Sequence, residues 1–226
     1  MKNRTINIGV VAEVAQALKE LKGQVIFVGG AVVSLYADDP AADEIRPTSD
    51  IDMTVNLLNY KDWAKIQKRL FELGFNPDPF GHSICSYKYK DIPIDIMLAD
   101  DSSLGPSNRW YKIGLERKTK VLAQNQEIFI FSAPVFIATK FEAFRSRGGD
   151  YRTSHDFEDI IYILDNRTTI VSEINEEQKE VNNFLKSEFN KIIQSSYTEE
   201  ILSSHLHPLT IDERYPIILE RLKKLT

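Results

Sequence analysis

The sequence has few of the features that mark secreted, membrane-spanning or metal-cluster proteins. Its 226 residues include one cysteine, Cys85, which excludes an intrachain disulfide and a thiolate cluster and fits a reducing, cytoplasmic compartment. We expect this thiol to be buried. No apolar run approaches the roughly 18–20 residues that a transmembrane helix needs. The apolar stretch near the N-terminus is short and interrupted by Glu13, so we predict neither a signal peptide nor a membrane partner.

Positive charge is also scarce. With 28 Lys and Arg against 33 Asp and Glu, the net charge is −5, which argues against a protein that coats nucleic acid with a broad basic face. One local run departs from this balance and combines basic and aromatic residues: Arg109, Trp110, Tyr111, Lys112, Arg117, Lys118 and Lys120. Such a run can bind phosphates and stack on bases, or it can simply be a charged strand or helix face. Both interpretations stay open.

The composition is that of an ordinary globular protein, 42% hydrophobic and 27% charged. Periodicity predicts helices over 9–21, 31–37 and 59–73 and strands over 24–28, 50–56, 83–90, 92–98 and 127–132. The acidic, proline-bearing stretch 38–49 predicts a loop, and the pattern turns helical from residue 133. This order indicates a sheet flanked by helices, an α/β or α+β domain over 1–132, followed by a helical domain over 133–226.

The predicted strand at 50–56 begins with two aspartates. Residues two apart on a strand point to the same side, so Asp50 and Asp52 present two carboxylates on one face while Ile51 packs into the core. Two carboxylates so close repel each other unless a cation lies between them. Mg²⁺ suits such a site, because it binds through one or two carboxylates together with water and substrate phosphate.

A third acid, Asp95, interrupts the apolar strand at 92–98. A buried carboxylate without a partner is costly, and a second metal beside Asp50 and Asp52 supplies one. Three acids on adjacent strands are what a two-metal phosphoryl or nucleotidyl transfer needs. We therefore predict two Mg²⁺ ions, with Mn²⁺ as the alternative metal.

Two glycines, Gly29 and Gly30, follow the strand at 24–28 and precede a helix. There, backbone N–H groups and the positive helix end can approach a phosphate without a side chain in the way. A glycine pair alone is a weak signal, and it becomes a strong one when Asp50, Asp52 and Asp95 follow.

These motifs resemble the nucleotidyltransferase superfamily, which shares the fold of DNA polymerase beta. The matching segments run from Val28 to Ala31, from Arg46 to Asp52 and from Ile94 to Ile96. The resemblance implies an α+β fold with a mixed β-sheet flanked by helices. It also implies that Gly29 and Gly30 bind nucleotide phosphates and that Asp50, Asp52 and Asp95 bind the metal ions and catalyse transfer of an NMP from an NTP.

A second match is to the AbiEii-type toxin and abortive-infection nucleotidyltransferases. It consists of Lys140, Arg145, Arg152 and the run from Asp156 to Ile160. The resemblance implies that Lys140 contacts the nucleotide and that Asp156 and Asp159 support the site. It further implies a tRNA or other RNA acceptor and a cognate antitoxin.

Several alternatives remain at this point. Asp50 and Asp52 could be a solvated strand edge, Lys140 could extend to water from its helix, and Asp156 and Asp159 could pair with Arg145 or Arg152 for structure only. The acceptor could be a small molecule, as in antibiotic-modifying nucleotidyltransferases. The chain could also be a non-catalytic nucleotide-binding interaction protein.

Overall fold

In a computed structural model, the protein is described over residues 6–55, 60–81, 85–99 and 108–226, with the side chains of residues 60 and 61 left aside. The predicted helix and strand over 59–73 and 83–90 each begin outside these ranges, the strand over 50–56 ends outside them, and His82 also lies outside. The chain divides into two compact units. The sheet unit comprises Met1–Leu35 and Arg46–Ser132, and the helical unit comprises Tyr36–Ile45 and Ala133–Thr226.

The sheet unit contains three helices and seven strands among its described residues: α1 (Ile8–Ala17), β1 (Val25–Val28), β2 (Ile51–Val55), α2 (Tyr60–Glu72), β3 (Phe75–Pro77), β4 (Ser86–Tyr89), β5 (Ile92–Leu98), α3 (Tyr111–Glu116), β6 (Lys118–Ala123) and β7 (Gln126–Phe131). Short 3-10 helices occupy Lys19–Gly23 and Gly30–Tyr36. Five strands form a mixed sheet of order β1-β2-β5-β4-β3, in which β2 and β5 are parallel and the other neighbours antiparallel. A separate hairpin of β6 and β7 packs against β1 through β7.

The two central strands alternate apolar and acidic residues where they begin and are wholly buried where they end. Ile51 and Ile94 are buried, whereas Asp52 and Asp95 are half-buried on the opposite face. Farther along, Thr54–Val55 and the paired Met97–Leu98 are all buried. The carboxylates therefore lie where one face of the sheet opens to solvent.

The helical unit is held by an aromatic core and by ion pairs to the segment 36–45. The Phe141 ring contacts those of Phe157 and Phe189 at centroid distances of 6.3 and 5.6 Å. Arg214 binds Asp39 at 2.9 Å. Burial alone would lower the pKa of Arg214, but its hydrogen bonds to Asp165 and Asp39 outweigh burial and raise the pKa. Its helices are α4 (Ala133–Arg147), α5 (His155–Asn166), α6 (Ile170–Glu176), α7 (Lys179–Ile193), α8 (Thr198–Ser203) and α9 (Ile211–Leu225).

Most predicted elements are present, with three differences. Helix α1 ends at Ala17 instead of residue 21, because Lys19 adopts a left-handed backbone conformation of φ 50 that ends the α-helix. The predicted helix over 31–37 is a 3-10 helix that ends at Tyr36, and β3, α3 and β6 were not predicted. Cys85 is buried, as expected, and burial raises the pKa of its thiol. No helix among the described residues combines the length and the apolar character needed to cross a membrane.

His205 gives the helical unit a pH-dependent stability. Its Nε2 donates to the Tyr151 carbonyl oxygen at 2.6 Å and its ring packs on Phe157 at 5.3 Å. Burial lowers the pKa of His205 below its usual value, because it disfavours the imidazolium. As the pH falls below about 6.5 the unfolded chain takes up a proton there more readily than the folded chain, so stability is lost.

We expect His205→Gln to reduce the loss of stability between pH 7.5 and 5.5, measured by urea denaturation at each pH. His207→Gln, at an exposed histidine, is the comparison variant, and the loss of stability that it shows is the reference for His205→Gln. An equal pH dependence in the wild type and in His205→Gln would contradict this assignment.

Candidate active site

Asp52 and Asp95 form the centre of the candidate site. They are directly paired across the parallel strands β2 and β5. Residues in register on neighbouring strands point to the same face, and the strands lie about 4.8 Å apart. The two carboxylates therefore project side by side from one face of the sheet, while Ile51 and Ile94 are buried on the other.

Asp50 precedes β2 instead of lying within it, because the strand begins at Ile51. The Thr48 hydroxyl donates to Asp50 Oδ1 at 3.3 Å. This hydrogen bond joins Asp50 to the segment that leads into the strand. Asp50 is half-exposed and lines an open cavity together with Asp95, so these two acids border the same solvent space.

Ser86 fixes the orientation of Asp95. It faces Asp95 across the antiparallel pair of β4 and β5, and its buried hydroxyl donates to Asp95 Oδ1 at 2.5 Å. Gly81 packs directly on Ser86, since a Cβ at Gly81 would lie 2.1 Å from Ser86 Cβ. This role of Ser86 was not predicted, because a serine at the beginning of a strand has many ordinary uses.

The turn after β1 lies against Asp52. Gly29 has φ +71, and a Cβ there would lie 2.0 Å from Asp52 Oδ2 and 2.9 Å from Asp52 Cβ. Position 29 therefore needs glycine both for its backbone conformation and for the space that Asp52 occupies. Gly30 has ordinary contacts: its Cβ would lie 3.4 Å from Thr48 Oγ1 and 3.5 Å from Arg46 Nη2.

Arg46 is a second residue to which the sequence assigned no role. It is half-buried, and its guanidinium lies beside Gly30. Its position at the beginning of the segment Arg46-Pro47-Thr48-Ser49-Asp50 is the sequence feature that could have identified it as a site residue. The arrangement places a permanent positive charge next to the glycine turn.

An open cavity of about 650 Å³ lies on the β4–β5 side of the acids. Its lining is rich in charged groups, and the Asp78–Lys88 ion pair of 2.8 Å forms part of it. Phe80, which is 90% exposed, contributes an aromatic ring. The residues lining it are Ser49, Asp50, Asp78, Phe80, Gly81, Ser86, Tyr87, Lys88, Lys90, Asp91, Pro93, Ile94 and Asp95.

The donor set suits Mg²⁺. Carboxylate oxygens are its preferred protein ligands, and it needs only one or two of them when phosphate and water complete its shell. In the part of the chain that the structure describes, no three Asp, Glu, His or Cys side chains are close enough to hold one ion by themselves. Asp52 and Asp95 are thus two paired carboxylates that could contribute to one ion together with phosphate and water, and Asp50 does not complete a group of three with them.

The helical unit contains the other predicted site residues, which form an ion cluster of their own. Lys140 Nζ lies 2.7 Å from Asp159 Oδ2 and 3.3 Å from Asp156 Oδ1, and Arg147 also binds Asp156. Lys140, Asp156 and Asp159 are all buried. The structure thus brings these three together, with Arg147 rather than Arg145 or Arg152 as the additional partner.

Comparisons with known proteins show the fold and nothing finer. No protein-family model matches the chain, and no curated protein matches it. Among solved structures, the chain is similar to one described as an antigenic nucleotidyltransferase-like protein from Paracoccidioides brasiliensis. The TM-score is 0.50 and the identity 18%, over 90% of this chain and 95% of that one. The predicted fold class is confirmed: an α+β, nucleotidyltransferase-like fold with a mixed sheet, flanking helices and a C-terminal helical region.

We expect Gly29→Ala to destabilise the protein by about 2–5 kcal/mol. A left-handed backbone costs an alanine about 1–2 kcal/mol, and forcing a methyl group against Asp52 adds about 1–3 kcal/mol. Gly148→Ala is the matched control, because Gly148 also has positive φ (+63) but nothing within 4 Å of its Cβ position. It should show only the backbone cost. Equal losses in urea denaturation would mean that Asp52 does not press on Gly29.

Proposed function

We propose that this protein is a metal-dependent nucleotidyltransferase that moves an NMP from an NTP to an acceptor hydroxyl and releases pyrophosphate. One observation carries the proposal: Asp52 and Asp95 are in register on adjacent parallel strands, with Asp52 packed against the glycine turn. The nucleotidyltransferase-like fold agrees with this chemistry. A fold alone does not imply an activity, so the proposal depends on the site.

The glycine turn and Arg46 are the proposed binding site for the NTP phosphates. Gly29 and Gly30 carry no side chains, so a phosphate can reach their backbone N–H groups. Arg46 Nη2 lies 3.5 Å from the Cβ position of Gly30. An arginine guanidinium binds phosphate oxygens through paired hydrogen bonds, which favours Arg46 as the group that neutralises the triphosphate.

Asp50, Asp52 and Asp95 are the proposed ligands of the divalent ions. Bound Mg²⁺ supplies charge stabilisation at the phosphates and lowers the pKa of an attacking hydroxyl. Asp52 lies at the glycine turn, which suits it to the NTP side, whereas Asp50 and Asp95 border the cavity. Mn²⁺ is the proposed substitute because it accepts the same oxygen ligands.

Asp95 is the proposed base. The acceptor oxygen attacks the α-phosphorus, a new P–O bond forms, and the bond from the α-phosphorus to the bridging oxygen of pyrophosphate breaks. The hydroxyl proton passes to a free oxygen of Asp95. Ser86 donates to Asp95 Oδ1, which leaves Oδ2 to receive the proton.

The resemblance to AbiEii-type enzymes suggests an RNA acceptor, such as a tRNA 3′ end, and a cognate antitoxin. A small cationic acceptor is the second candidate, because four carboxylates line the cavity against two lysines, Lys88 and Lys90. Lys140, Asp156 and Asp159 remain proposed nucleotide-site residues on the strength of the resemblance. Their mutual ion pairs already give them a structural role.

We expect Asp52→Asn to lower nucleotidyl transfer about a thousandfold while the protein stays folded, since metal stabilisation of the reacting phosphates is worth several kcal/mol. Asp50→Asn should also lower nucleotidyl transfer. The assay uses each α-³²P-labelled NTP with Mg²⁺, offered separately with total RNA and with aminoglycosides, and circular dichroism checks folding.

Asp62→Asn is the matched control. Asp62 lies on α2, where it pairs with Lys65 at 3.4 Å, and its variant should retain full transfer. Wild-type transfer that persists in excess EDTA would count against the metal-dependent reaction. Calorimetric NTP binding without transfer to any acceptor would favour a non-catalytic nucleotide-binding protein.

We expect Ser86→Ala to lower turnover about tenfold, because a hydrogen bond to a charged group is worth about 1.5–3 kcal/mol and tenfold corresponds to about 1.4 kcal/mol. The half-saturating Mg²⁺ concentration should rise, whereas the KM for NTP should change little. A purely structural role would instead lower the melting temperature and leave the Mg²⁺ dependence of the remaining activity unchanged.

A further inference from the structure

A basic surface occupies α3 and β6, in a protein whose net charge is negative. We call it the basic hairpin face and define it by Arg109, Lys112, Arg117, Lys118 and Lys120. All five side chains are exposed. Between the first and the last of them the chain has a single acidic residue, Glu116. Positive charge concentrated in this way creates a local field of opposite sign to that of the protein as a whole.

The hairpin presents part of this charge beside an aromatic ring. Residues paired across an antiparallel ladder share a face, and Lys120 pairs with Phe129 while Lys118 pairs with Phe131. Phe131 is buried under α3, where its ring lies 5.7 Å from that of Tyr111, so the accessible ring on this face is that of Phe129. Phe129 is half-exposed, and Lys118 Nζ lies 4.5 Å from its ring centroid. Lys120 Nζ lies 3.5 Å from Glu127, an exposed pair that contributes little.

On its other face, strand β7 of the hairpin packs into the core. Ile128 and Ile130 are buried on it, and β7 packs against β1. The solvent-exposed face, with its lysines and Phe129, therefore has a fixed orientation within the sheet unit. Cations beside an accessible ring are the combination that binds single-stranded nucleic acid, through its phosphates and its bases respectively.

One end of the hairpin lies near the beginning of β1. Lys22, shortly before β1, donates to Gln126 at the beginning of β7 at 3.1 Å. Strand β6 is antiparallel to β7, so Arg117 and Lys118 lie at the opposite end of the hairpin from Gln126.

We infer that the basic hairpin face binds single-stranded nucleic acid, with Lys118 and Lys120 on the phosphates and Phe129 beneath a base. Charge complementarity and the exposed ring argue for this occupant. That the bound strand is the acceptor rests on the proposed nucleotidyl transfer. Binding itself needs neither NTP nor metal, so it can be tested separately.

The test compares two double variants with the same change in charge. Lys118→Ala/Lys120→Ala removes two cations from the basic hairpin face. Lys65→Ala/Lys68→Ala removes two exposed cations from α2 of the same unit. Fluorescence anisotropy with a labelled 12-nucleotide RNA, and with the DNA of the same sequence, gives the Kd over a range of salt concentrations in EDTA.

For single strands each phosphate contact contributes about 0.7 to the slope of log K against log salt. We expect the hairpin variant to reduce the slope by about 1.4, which raises Kd about 25-fold at 0.1 M salt. The α2 variant should match the wild type. Phe129→Leu, which keeps apolar volume and removes the ring, should raise Kd about tenfold with an unchanged slope.

Several results would overturn the inference. One is that the wild type fails to bind either oligonucleotide at low salt. Another is that both double variants lose affinity equally. A third is that the hairpin variant dimerises on size exclusion while its affinity is unchanged, because the lysines would then serve only to block pairing at the open edge of β6. If Asp52→Asn loses nucleotidyl transfer but still binds the oligonucleotide, the inference stands. If the wild type binds the oligonucleotide but transfers no nucleotide, only the proposed function is refuted.

Discussion

The parallel, in-register pairing of β2 with β5 is the constraint on which the candidate site depends. It sets Asp52 beside Asp95 and, on the other face, Ile51 beside Ile94. A slip of one residue would turn Asp95 into the buried layer and an isoleucine to solvent. The burial of these isoleucines therefore orients the carboxylates as well. Burial of the isoleucines stabilises the register, and the register places the two carboxylates side by side.

The same pairing has an electrostatic cost that the site must offset. Two charges about 5 Å apart repel by about 3 kcal/mol at the effective dielectric of a protein surface. Ser86 donates a hydrogen bond to Asp95, which relieves part of this repulsion. A divalent cation would relieve more, which is the electrostatic reason for the metal ions in the proposed function. Gly29 completes the site because its missing side chain leaves room for Asp52.

What the sequence could predict was governed by local patterns. Alternation of apolar and acidic residues was enough to locate β2, β5 and the three acids. Strand β6 was not predicted, because most of its residues are exposed and its sequence does not alternate between apolar and polar residues. The hydrogen bond from Ser86 and the ion pair of Arg214 with Asp39 join residues 9 and 175 positions apart. Such pairings depend on the tertiary fold and leave no periodic signal.

The proposed function requires an acidic protein to bind polyanions, and the distribution of its charge bears on that requirement. Paired carboxylates repel a triphosphate, so binding requires cations close to them, and salt limits useful attraction to about 8–10 Å. Under the proposed function, Arg46 beside Gly30 is the cation that meets this requirement for the NTP. The exposed lysines of the basic hairpin face place further positive charge along β6. A net charge of −5 is compatible with both surfaces because each acts only locally. Composition therefore argues against a broad nucleic-acid-coating surface and leaves a narrow, directed one intact.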